Sequence, residues 1–135
     1  MTLFTNAQYQ KLLENGLPEN RDKDHSPIIH LYLQCTNCEW LISELDPEDP
    51  NLAFGLCDLG MGFPELGYVS LEELQSVKVG PFGFTVSSNP LFVGTYPMSI
   101  YAEAARQVGR ITRNEKHLQN ALNAKLSRKK DKPRP

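Results

Sequence analysis

Cysteine, tryptophan and long apolar runs are all scarce in this 135-residue chain. Its three cysteines, Cys35, Cys38 and Cys57, are an odd number and do not make the disulfide framework of a small secreted domain, so they read as reduced thiols. No apolar run approaches the roughly 20 residues that span a bilayer, and no membrane association is expected. The opening Met1-Thr2-Leu3-Phe4-Thr5-Asn6 lacks the basic start and apolar stretch of a secretory signal, which makes the cytoplasm the expected location. A phosphate-binding P-loop is also missing: Gly60-Met61-Gly62 is followed by Phe63-Pro64-Glu65, with no Lys-Ser/Thr pair, and the acid there would repel phosphate.

What the chain does have is an ordinary globular composition, with 40% hydrophobic and 22% charged residues. A single domain of this size removes roughly two thirds of its unfolded surface from water. The net charge of −2 conceals an asymmetry. Residues 106–135 hold ten Lys/Arg against two acids, a charge of +8, and the preceding 105 residues hold four bases against fourteen acids, a charge of −10. An acidic body with a basic end bears on partners more than on fold.

Helix starts are written clearly. Thr5-Asn6-Ala7-Gln8 is a capping box with Phe4 and Tyr9 as its hydrophobic staple, and Gly16 is a fitting stop. Ser70-Leu71-Glu72-Glu73 repeats the design with Val69 and Leu74 as the staple pair. Another helix is expected from Ser99, with Ile100, Ala104, Val108 and Ile111 on one face. A third box, Thr112-Arg113-Asn114-Glu115, opens a basic helix with the apolar stripe Leu118, Leu122 and Leu126. Strands are expected at residues 27–34, 39–45, 52–57, 67–69, 79–86 and 91–93, with the prolines and acids of 46–51 forming a turn that blocks strand continuation. This order predicts one α+β domain over 1–111, with an antiparallel or mixed sheet of about 4–6 short strands, an N-terminal helix and C-terminal helices. A basic helix over 112–126 and a disordered basic tail over 127–135 follow.

The stretch 52–71, LAFGLCDLGMGFPELGYVSL, concentrates glycines as backbone does when forced to positive φ or closely approached. The turn is expected to tuck Phe63 and Leu66 into the core. Trp40, Phe54, Tyr68, Phe82 and Phe84 likewise read as core rather than as a base-stacking surface. Cys35 and Cys38 have metal-ligand spacing, with Cys57 as a possible third ligand and His30 or His25 as a fourth, yet the tetrahedral set is incomplete in sequence. No metal and no cofactor are expected. Asp24, His25, Asp58 and Glu65 would hold Mg²⁺ for phosphodiester hydrolysis if they met in one cleft, which makes His25, Asp58 and Glu65 the candidate catalytic residues.

The segments LLENG (12–16), DHSPIIHLY (24–32), WLISELDPEDPNLAFGLCDLGMGFPELGYVSLEEL (40–74) and SIYAEAARQVGRI (99–111) resemble a small bacterial domain-of-unknown-function family. That family is carried largely on plasmids and integrative elements, sometimes beside or fused to antirestriction-type domains. The resemblance covers roughly residues 8–111. It implies a mobile-element setting and an accessory role in DNA handling or evasion of host defence. The Cys35–Cys38 segment and the basic tail are features of this chain more than of the family.

The expected function is a non-enzymatic accessory or interaction protein of a bacterial mobile element. A protein partner would meet the acids Asp46, Glu48, Asp49, Asp58 and Glu65. Nucleic acid would meet Arg106, Arg110, Arg113, Arg128, Lys129 and Lys130. The alternatives are a metal-dependent nuclease or phosphodiesterase at the Asp58/Glu65 region, and a small-ligand-binding domain with a pocket beneath the turn of residues 60–67. The sequence leaves the oligomeric state open.

Overall fold

The computed structural model describes residues 3–130, with the side chain of Lys130 excepted. It is an α+β domain in which helices cover both faces of one antiparallel sheet. The elements in chain order are α1 (Asn6–Asn15), β1 (Ile29–Leu33), β2 (Glu39–Asp46), β3 (Asp49–Asp58), β4 (Glu65–Ser70), α2 (Leu71–Ser76), β5 (Val86–Ser88), α3 (Met98–Val108) and α4 (Glu115–Lys130). The five strands lie in the order β4-β3-β2-β1-β5, every neighbouring pair antiparallel. This is the expected fold class.

Two periodicities build the layers. Alternate strand residues point to opposite sheet faces, so Ile29, Leu31, Trp40 and Ile42 pack with Leu12 of α1 and with Leu71 and Leu74 of α2. On the other face Leu41 and Leu56 meet Ile100, Tyr101, Ala104 and Ala105 of α3 and Leu118 and Ala121 of α4. The α1 box forms as read: the Thr5 hydroxyl accepts from the Gln8 N–H at 3.1 Å, Gln8 Oε1 accepts from the Thr5 N–H at 2.8 Å, and the Phe4 and Tyr9 rings stack 5.6 Å apart. Ser70 caps α2, accepting from the Glu73 N–H at 3.3 Å.

Several boundaries differ from expectation. The β2–β3 turn is only Pro47-Glu48, because Asp46 Oδ1 accepts the Glu48 N–H at 2.9 Å and closes it locally. Strand β3 therefore begins at Asp49 and runs through Pro50, which is tolerated because pairing with β4 starts only at Leu52. Of the expected strand 79–86 only Val86 joins the sheet; Val79 and Phe84 form one isolated bridge around a turn. Residues 91–93 are not a strand, and Leu91 and Val93 are exposed. Helix α3 starts at Met98 rather than Ser99, and α4 at Glu115 after Asn114, whose Oδ1 accepts the Lys116 N–H at 2.9 Å. The last helix continues past Leu126 to Lys130, since Ser-Arg-Lys-Lys contains no breaker and cations suit a helix C-terminus. Residues 127–130 of the expected disordered tail are thus helical, and 131–135 lie outside the described residues.

Candidate functional site

Asp58 organises one end of the domain. It closes β3, is 1% exposed, and accepts two backbone hydrogen bonds, from Gly60 at 2.8 Å and from Ile111 at 2.9 Å. The first folds the glycine turn, where Gly60 (φ 78°) and Gly62 (φ 87°) adopt the left-handed conformation that the glycine density announced. The second fixes the α3–α4 connection, residues 109–114, which carries Arg110 and Arg113. Within that connection the Thr112 hydroxyl pairs with His117 Nδ1 at 2.7 Å and accepts the Asn114 N–H at 3.2 Å.

Between this connection and the sheet lies a polar cleft. Three adjoining hollows of about 390, 310 and 410 Å³ make it up, and Glu39 borders all three. Glu39 opens β2 and lies opposite Tyr32 of β1. Its Oε1 is 2.7 Å from Nε2 of His30, a residue 3% exposed. The other His30 nitrogen, Nδ1, lies 3.2 Å from the Asn89 amide nitrogen. With Asn89 Oδ1 accepting the Leu91 N–H at 3.1 Å, its amide N–H is the group facing His30 Nδ1, which leaves Nε2 to donate to the Glu39 carboxylate. Tyr32 and Phe92 flank the imidazole at 5.9 and 5.8 Å. Among the described residues, Glu39 Oε2, His117 Nε2 and both guanidinium groups of Arg110 and Arg113 have no protein partner.

The residues singled out from sequence are scattered. Asp24 caps α3, its carboxylate accepting from the Ser99 N–H at 3.0 Å and from the Ser99 hydroxyl, while the His25 carbonyl accepts the Met98 N–H at 2.8 Å. His25 Nε2 sits 2.7 Å from the Asn20 carbonyl. Asp58 holds the opposite end of α3, and eleven residues of helix put the two about 16 Å apart. Glu65 is exposed on β4, opposite Cys57. The convergence required for a nuclease centre is therefore not what the fold builds. Asp46, Glu48 and Asp49 lie at the β2–β3 turn, the other end of β3 from Asp58 and Glu65, so the acids do not form one face.

Cys38 and Cys57 pack on the α1 side of the sheet, whereas His30 shares the opposite face with Leu41, so the expected ligand set is split between two sides. All three cysteines are free, and burial pushes the Cys57 thiol up to about 11. No group of three metal-ligating side chains occurs among the described residues.

The basic end is partly neutralised within the molecule. Glu103, buried on α3, pairs with Arg106 and with Arg128 at 2.7 Å, and the Arg106 and Arg128 contacts hold its carboxyl below the usual range. Lys125 reaches the Ser99 hydroxyl at 2.6 Å and Asp24 at 3.8 Å. Of the six cationic candidates, Arg110 and Arg113 face the cleft and Lys129 is exposed.

Opposite in character is the glycine turn itself. Phe63 and Leu66 do not tuck inward: Leu59, Met61, Phe63, Leu66 and Tyr68 are 61, 75, 82, 47 and 63% exposed. Asp58 already anchors the turn by polar bonds, leaving its side chains free to project. Phe82 is also exposed, and only Trp40 of the aromatic set is fully buried.

Sequence reasoning missed Glu39, His117, Asn89 and Thr112, because nothing local links positions 39, 89 and 117. The His30–Glu39 pair is visible only once the hairpin register is known.

No helix among the described residues is long and apolar enough to cross a membrane. No curated protein and no solved structure matches the chain significantly. The family model described as a protein of unknown function, DUF2958, matches residues 3–112, from the first described residue into the cleft connection, and the chain belongs to that family.

Proposed function

We propose that the protein is a non-enzymatic interaction protein that docks a protein partner on its glycine turn and the adjoining β4 edge. The observation that carries this reading is the group of five exposed apolar side chains, Leu59, Met61, Phe63, Leu66 and Tyr68, along the free edge of the sheet. A strand edge offers unpaired N–H and C=O groups, and large apolar side chains beside it mark a contact surface. Glu65 is exposed on the same strand, on the sheet face opposite Leu66 and Tyr68, and favours a basic residue at the partner's rim. The resemblance read from the sequence supports an accessory role in a mobile-element setting, and a cytoplasmic location is part of the same proposal. The nuclease alternative draws no support from where His25, Asp58 and Glu65 lie.

The test is capture of proteins from host cells that carry the element, comparing wild type with a Met61→Ser/Phe63→Ser variant. A partner retained by the wild type and lost by the variant supports the reading. Retention of nothing, or equal retention by both, refutes it, and self-association through the patch would show instead as a dimer in solution.

A further inference from the structure

The cleft around Glu39 adjoins that docking surface, sharing the backbone of Gly60 and Gly62 with it, and has a chemistry of its own. Arg110 and Arg113 both line one of its hollows, and unlike Arg106, Lys125 and Arg128, which each have an acid partner, these two have none among the described residues. The backbone that carries them is also fixed, because the buried Asp58 carboxylate grips the Ile111 N–H between them at 2.9 Å. Across the cleft the carboxylate of Glu39 is held by the buried His30, itself held by Asn89, with Oε2 left over for a ligand. Each hollow falls in the roughly 300–1,000 Å³ range of small-molecule sites.

These groups select the ligand. Two guanidinium groups call for phosphate oxygens, which they meet in a fork geometry. A bare phosphate would also confront Glu39, which is unfavourable, so the ligand must bring N–H donors to that side. We infer that the cleft binds a nucleotide, with its phosphate on Arg110 and Arg113 and the N–H edge of its base on Glu39. Guanine presents two adjacent N–H donors and suits a carboxylate best. The source of the nucleotide is either a free mononucleotide or a residue in a single strand.

Calorimetric titration of the full chain with GMP, UMP, inorganic phosphate and a short single-stranded G-containing oligonucleotide separates these sources. Saturable GMP or oligonucleotide binding is expected, weakened at least tenfold by Arg110→Gln/Arg113→Gln. Both arginines are exposed and have no partner among the described residues, so the variant should unfold at the wild-type temperature, checked by thermal denaturation. Glu39→Gln keeps an oxygen for His30 and should erase the preference for GMP over UMP. A tighter oligonucleotide than GMP assigns the strand, and the reverse assigns the free nucleotide. Absence of binding at millimolar ligand, equal binding of inorganic phosphate and GMP, or no effect of the arginine substitutions overturns the inference.

Discussion

Asp58 shows how a single side chain can be conspicuous in sequence for one reason and important for another. Its position before a glycine cluster invites a catalytic role, yet both carboxylate oxygens serve backbone N–H groups and almost none of the side chain meets solvent. Hydrogen bonds to a charged group contribute about 1.5–3 kcal/mol each, and burial makes their loss more costly. Asp58→Ala should therefore destabilise the fold by about 3 kcal/mol in denaturant unfolding, and Asp58→Asn, which keeps one acceptor, by about 2 kcal/mol. A loss under 1 kcal/mol for the alanine variant would show that the connection to α4 is held by something else. The glycines around Asp58 were legible as a class, and they divide by cause. Gly60 and Gly62 need positive φ, whereas a Cβ on Gly55 would meet the Leu41 carbonyl oxygen at 1.9 Å.

Elements were most readable where their signals are local. The Thr5 and Ser70 caps depend on residues three apart, and both form. Signals that depend on distant partners were not readable. Helix α3 has no side-chain cap from its own N-cap residue, Pro97, and receives Asp24 from 75 positions away instead. The bulge at Ser43, unpaired between Ile42 and Glu44, takes the Asn15 side chain on its carbonyl at 2.9 Å, a contact no period predicts. Helix α4 likewise runs on to Lys130, with Arg128 bound to Glu103 of α3. That pairing carries a pH signature. Because Glu103 titrates below its ordinary value in the folded state, its contribution is fully present above the unfolded carboxylate range and is lost as pH falls through the lowered value. Glu103→Gln should cost about 1 kcal/mol at pH 7, the exposed arginines limiting the gain, and the two proteins should converge in stability once the pH has fallen through that lowered value. A constant difference across that range would mean packing, not charge, is responsible.

At the scale of the molecule, the sorting of charge is real in sequence but softened in space. Folding sets Arg106 and Arg128 on Glu103 and Lys125 beside Asp24, and separates the acids of the β2–β3 turn from Asp58 and Glu65. What remains distinctive is an exposed apolar turn along a free strand edge, next to a cleft with two arginines that have no partner among the described residues. The α+β class followed from the order of periodicities, whereas the cleft did not, because its residues come from β1, β2, the end of β3 and the glycine turn, the segment before α3, the α3–α4 connection and α4. The most direct measurement is amide hydrogen exchange of the wild-type chain with and without its captured partner. Slowed exchange confined to residues 59–69, including the outward N–H groups of β4, is expected; unchanged exchange there, with protection appearing elsewhere on the domain, would contradict a partner docked on that edge.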